Sequence, residues 1–114
     1  MAAPQPGDRI LVLKKHWLDK ILDGVKTVEL RHIRLKPGRC FLGHKSRIYG
    51  VAYLGDAELV PTMSEFRARF EEHRVDVDRL PYKTTWAIPI IKVRKTPPWS
   101  YVHNKGAVGV VRFR

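Results

Sequence analysis

Just past Gly24, the run Val25-Lys26-Thr27-Val28-Glu29-Leu30-Arg31 brings two cations and a carboxylate together within six residues. Lys26 and Arg31 can hold a phosphate or polarise a carbonyl. Glu29 can orient Arg31, accept from a base amino group, or act as a general base. With two cations flanking it, the carboxylate suits orienting or base reading better than proton abstraction. The plain alternative is a surface salt bridge, since opposite charges on a solvent-facing strand are common and contribute little. A second set is aromatic. Trp99 and Tyr101 stand between Lys95 and Lys105, an arrangement that suits base stacking flanked by phosphate contacts. The alternative there is that Trp99 plugs one end of a barrel.

The first set depends on the element that carries it. Trp17, Leu18, Ile21 and Leu22 recur at helical spacing over residues 16–23, giving a short amphipathic helix in which Trp17 is assigned to the core, with base stacking beside Lys14 and Lys15 as its alternative. Gly24 can take the left-handed conformation that ends such a helix, and the β-branched Thr27 and Val28 favour the extended backbone that follows. Alternation then puts Val28 and Leu30 on a core face and Thr27, Glu29 and Arg31 on the other, with the α-carbons of Glu29 and Arg31 roughly 6.6 Å apart. Lys26 has the wrong parity. It joins the other two only if the turn at Gly24 breaks the alternation, and the three charges are expected to be exposed rather than core.

Elsewhere the pattern is that of a mainly β chain. Residues 9–14 are an apolar run bounded by charge, a buried first strand. Lys36-Pro37-Gly38 makes a turn, residues 39–42 and 48–60 read as strands, and a polar basic loop spans 43–47. Gly50 and Gly55 mark bulges or the meeting of two shorter strands. Thr62-Met63-Ser64-Glu65 fits a capping box, opening a helix with Met63, Phe66 and Phe70 as its buried stripe. Residues 84–94 form a strand whose Pro89 needs an edge or a bulge. Residues 95–104 read as a rigid aromatic loop, and 107–113 as a closing strand.

Composition narrows the class. At 114 residues the chain is the size of one domain, and its apolar fraction of 44% supports a packed core. Residues 1–8 read as an irregular lead-in and 9–114 as one domain. Twenty-two Lys and Arg against eleven Asp and Glu give a net charge of +11, which predicts a polyanionic partner, with nucleic acid ahead of a membrane surface. Cys40 is the single cysteine, and the five histidines lack ligand spacing, so neither a disulfide nor a metal site is indicated. No secretory signal or apolar span is visible, so the expected setting is intracellular, cytoplasmic or nuclear, with no membrane.

The segment Gly24-x-Lys26-x-x-Glu29-x-Arg31 resembles the signature of the ASCH domain family, a branch of the PUA-like barrels associated with RNA. Lys36-Pro37-Gly38, Ile48-Tyr49-Gly50-Val51, Thr85-Trp86-Ala87-Ile88, Pro97-Pro98 and Lys105-Gly106-Ala107 resemble the rest of that family in order. The resemblance implies an α+β, mainly β fold: a PUA-like small β-barrel of about six strands with two flanking helices. It implies that Lys26, Glu29 and Arg31 line a cleft, with Trp86 in or beside it. The implied activity is binding of RNA, single-stranded or as a modified nucleotide, by a monomer without cofactor, with DNA as the other nucleic acid to test. The family also contains a ribonuclease and an amidohydrolase acting on acetylated cytidine. The latter carries a threonine where this chain has Glu29, and a glutamate near the second helix at a position that falls on Glu71 or Glu72, with His73 or Arg74 as the alternatives. The carboxylate at position 29 removes that hydroxyl nucleophile, so a hydrolase is the alternative reading, with Lys26 and Glu29 as its catalytic pair.

Overall fold

Fifteen consecutive residues, Trp86–Ser100, form one strand that serves two parts of the sheet. The computed structural model describes residues 3–103 and 109–114. In chain order its elements are β1 (Arg9–Val12), α1 (Lys15–Leu22), β2 (Val28–Arg31), β3 (Gly38–His44), β4 (Arg47–Leu54), β5 (Glu58–Leu59), α2 (Met63–Ala68), α3 (Phe70–His73), β6 (Trp86–Ser100) and β7 (Val110–Arg112). The strands follow the path β2-β6-β4-β3-β1-β7, with β5 as a side branch on β6. The start of β6 pairs with β2, from Arg31↔Trp86 to Val28↔Pro89, and the rest pairs with β4, from Leu54↔Ile90 to Arg47↔Ser100. Pro89 therefore sits where the strand changes partner, a place where a missing N–H breaks no continuous ladder.

The sheet curls as a half-barrel with apolar clusters on both faces. Ile10 and Leu11 are adjacent in β1 and enter different clusters, which explains why that strand reads as a continuous apolar run. Leu11 packs with Leu42, Ile88, Ile90 and the Leu18 and Ile21 side of α1, while Ile10 packs with Phe41, Ile48, Val51 and Tyr101. A third cluster joins Val28 and Leu30 of β2 to Phe66 of α2. Cys40 lies inside the first cluster, where burial pushes its thiol up to about 11.

Several expectations need correction. The second helix opens as read, with Thr62 Oγ1 accepting from the Glu65 N–H at 3.2 Å. It breaks at Arg69, however, and Phe70 is 37% exposed. His73 takes its place in the core, stacked on Phe66 at 4.3 Å between ring centroids. The 48–60 stretch divides near Gly55 into β4 and β5, and the 43–47 loop tightens to a turn with Lys45 and Ser46 at φ 46° and 65°. The aromatic loop is no loop through Ser100. Backbone pairing with β4 extends β6 to that residue, because the ladder resumes at Ile48↔Trp99 after a register shift that accommodates Pro97 and Pro98.

Candidate functional site

The two ends of the strand path, β2 and β7, make no ladder with each other. A side chain spans the seam instead. Arg31, at the end of β2, donates through Nη2 to the Val12 carbonyl of β1 at 2.9 Å. Just before β7, Gly109 lies against the same guanidinium. A Cβ there would come within 2.8 Å of Arg31 Nη1, and its φ of +82° is one that side chains rarely adopt.

Gly24 has φ +77°, and the N–H groups of both Val25 and Lys26 donate to the Lys20 carbonyl at 2.9 and 3.0 Å. This turn breaks the strand alternation and sends Lys26 inward. Its ammonium donates to the His73 carbonyl at 2.6 Å, lies 3.5 Å from Glu29 Oε1, and sits 4.6 Å from the Trp17 ring centroid. Glu29 Oε2 accepts from Arg31 Nε and Nη2 at 3.0 and 2.8 Å. The three charges thus form one network, Lys26–Glu29–Arg31. The expectation of exposure is overturned: Lys26 is 1% and Glu29 6% exposed, because α3 and the α1 end close over the turn. Burial pulls the Lys26 ammonium below its ordinary range, with Glu29 opposing that shift and Arg31 adding to it.

His73 supports this floor. Its Nδ1 accepts the Val75 N–H at 2.9 Å while Nε2 pairs with the Phe66 carbonyl at 2.7 Å. Only the neutral ring with its proton on Nε2 satisfies both. Burial lowers its pKa foremost; the Phe66 carbonyl opposes the shift, Lys26 and Arg69 reinforce it, and Glu72 opposes it. A histidine depressed in the folded state contributes stability that is complete above its unfolded value of 6.5 and is lost as pH falls below it toward the folded value. Urea unfolding should therefore show the wild type losing stability between pH 7.5 and 5 more steeply than His73→Gln. Equal slopes would remove His73 from the acid response.

Above the network lies a cleft of about 360 Å³ lined by Val12, Lys14, Trp17, Glu29, Leu30, Arg31, Val75, Pro81, Tyr82 and Gly109. Two rings, Trp17 and Tyr82, border it. Tyr82 is fixed through Thr85, whose hydroxyl donates to the Tyr82 carbonyl at 2.8 Å and accepts its N–H at 3.3 Å. Arg31, Tyr82 and Gly109 also border a neighbouring hollow of about 280 Å³ that reaches His32 and Ile33. Such a site can enclose a planar group between aromatic walls, present a guanidinium to an anion, and offer a carboxylate to an amino group.

Other candidates from the sequence fall elsewhere. Trp86 is half-buried with the Arg34 guanidinium 5.9 Å from its ring, and it does not line the cleft. Trp99 packs edge-on against Phe41 at 6.3 Å, and Tyr101 is 6% exposed in the same cluster. Both rings pack with the Ile10 cluster, Tyr101 buried and Trp99 half-buried, because the end of β6 runs over that face of the sheet. Lys95 is exposed on β6 opposite Gly50, and Lys105 lies outside the described residues. Glu71 and Glu72 pair with Arg74 and Arg69, and neither lines the cleft. Among the described residues, Glu29 is the sole carboxylate lining it.

Helical spacing places Trp17 in the core with base stacking as the alternative, and the cleft favours that alternative, whereas Tyr82 has no role in the sequence pattern. The signals were an aromatic next to Lys14-Lys15-His16, and one in the Pro81-Tyr82 turn followed by the hydroxyl of Thr85.

No family model and no curated protein matches this chain. Solved structures do. The ASCH protein of Zymomonas mobilis superposes with a TM-score of 0.76 at 14% identity, covering 95% of this chain and 88% of that one. A serine-to-alanine variant of the same protein gives 0.76 at 15% identity, covering 98% and 92%. A tyrosine-to-phenylalanine variant gives 0.76 at 14%, covering 95% and 91%. The fold is thus that of ASCH domain proteins, a mainly β, PUA-like architecture.

Proposed function

We propose that this chain is an intracellular, monomeric nucleic-acid-binding module. Its ligand is RNA, presented as a single strand or a modified nucleotide, and the seam cleft receives the base. The observation that carries this reading is a cleft walled by Trp17 and Tyr82 over buried Lys26 and Glu29, with the partly exposed Arg31 ion-paired to Glu29. Base–aromatic stacking supplies affinity that tolerates any base. Glu29 and Arg31 supply a fixed acceptor and donor that discriminate among base edges. The cleft has about the volume of a small-ligand pocket, and the net charge of +11 favours a polyanion.

A hydrolase is supported less well. Glu29 has both N–H bonds of Arg31 on one oxygen and the Lys26 ammonium beside the other, and the lining residues described offer no second acid to complete an acid–base pair. Its role is accordingly to aim Arg31 and to read an amino group.

The test is to recover nucleic acid bound in cells, sequence it, and titrate the enriched oligomer across salt. Single-stranded RNA should be enriched over DNA. Affinity should fall about tenfold or more from low to physiological salt as counterions are released. A flat salt response would refute the electrostatic mode. In parallel, wild-type and Glu29→Gln proteins are incubated with RNA oligomers and acylated nucleosides and followed by mass. Turnover by the wild type that disappears in the variant, with affinity kept, would establish the hydrolase instead.

A further inference from the structure

A second surface has aromatic and cationic character, on the sheet face opposite α1. The register Arg39↔Tyr53↔Ile91 lays three side chains in one row, and Val51↔Arg94 puts Arg94 on the same face. Tyr53 is 46% exposed and Ile91 47%, whereas the neighbouring part of this face is covered by Trp99 and Tyr101. Arg39 is already engaged, 4.7 Å from the Phe41 ring centroid and 3.8 Å from Asp8. Lys92 and Arg94 are exposed and have no carboxylate partner among the described residues.

Lys92 is the informative residue. Between the pairs Tyr53↔Ile91 and Val51↔Arg94, β4 advances two residues and β6 three, so β6 holds one extra residue in a bulge. Val93 returns to the core face, leaving Lys92 as the insertion, with φ +52°. Glycine fits such a position without steric penalty, and a lysine is strained there. The strain aims the side chain: Lys92 Nζ stands 5.6 Å from the Tyr53 ring centroid. An exposed cation–π contact of this kind is weaker than stacking of a base on an aromatic ring. A base can therefore displace the ammonium, which remains beside the phosphates of that same strand.

We infer that this face, centred on Tyr53, Lys92 and Arg94, is a second contact surface for single-stranded nucleic acid, with Tyr53 stacking a base and the two cations flanking its phosphates. The inference rests on the nucleic-acid reading of the seam cleft and extends it to a longer strand. Affinity then depends on oligomer length, because a dinucleotide occupies the cleft alone, while a strand longer than the molecule's greatest extent of 40 Å can contact both surfaces.

The experiment compares a dinucleotide with such a long single-stranded RNA, using wild type, Tyr53→Ala and Lys92→Gly. Each substitution should weaken long-strand binding about tenfold and leave dinucleotide binding unchanged. Lys92→Gly should also raise the thermal midpoint, since glycine relieves the backbone strain. A residue kept for structure would not combine a gain of stability with a loss of affinity. Ultraviolet cross-linking of the long strand should mark Tyr53. Long-strand affinity unchanged in both variants, with binding still abolished by a cleft substitution, would overturn this second surface and leave the cleft reading intact. Failure of the wild type to bind either probe would overturn both.

Discussion

Lys26→Ala is expected to destabilise the protein by about 3 kcal/mol, lowering the thermal midpoint by roughly 10 °C. Lys26 is fully buried, and its ammonium satisfies the His73 carbonyl at 2.6 Å while lying 3.5 Å from Glu29. Truncation leaves an acceptor without a donor inside the protein and empties the volume of a long side chain. Each loss costs about 1–3 kcal/mol at buried sites. Glu29 keeps both bonds from Arg31, so the penalty should stay at the low end of that for breaking a buried ion pair. Lys26→Met separates the two contributions. It refills most of the space without restoring the donor, and should recover about half of the lost stability. Urea unfolding of the three proteins at neutral pH decides the matter. Wild-type stability in Lys26→Ala would mean that the ammonium is solvated, contrary to its place under α3.

Arg31→Lys should cost about 10–100-fold in affinity for single-stranded RNA although the charge is kept. One guanidinium donates from Nε and Nη2 to Glu29 and from Nη2 to the Val12 carbonyl across the seam, and it still borders both hollows. An ammonium is a point charge without that planar fork, and cannot hold Glu29 and Val12 together while presenting a flat face to a ligand. Stability should fall by only about 1–2 kcal/mol, as expected for loss of charge-assisted hydrogen bonds at a partly exposed site. Equilibrium titration and thermal unfolding measured on one preparation separate the effects. Full affinity in Arg31→Lys would show that charge alone suffices and would remove Arg31 from recognition of the ligand.

The contrast between these substitutions shows how far local sequence reaches. Gly24 as the helix end, Val28 and Leu30 as the core face of β2, the Thr62 cap, and the grouping of Lys26, Glu29 and Arg31 all follow from neighbours within a few residues. Backbone preference and side-chain periodicity are local properties, so they can be read along the chain. Phe70 and the 95–100 part of the aromatic segment fail for the same reason. Helical spacing continued past Arg69, but His73 competed successfully for the space beside Phe66, and two prolines suggested a loop where pairing with β4 was available.

Burial of the charged network had no local signal. The carbonyl that holds Lys26 is 47 residues away, and the one that holds Arg31 is 19 residues away. Trp17 and Tyr82 meet at the cleft only because the sheet curls until β2 and β1 face each other without a ladder. The sequence by itself determined which residues could do chemistry and on which elements they stand. Tertiary structure decided that Lys26 is buried, that Trp99 and Tyr101 lie against the Ile10 cluster, and that the cleft walls come from α1 and the Tyr82 turn. The physical reason is that solvent exposure and long-range hydrogen bonding depend on which distant backbone arrives beside a residue, and the pattern of its own neighbours does not encode that arrival.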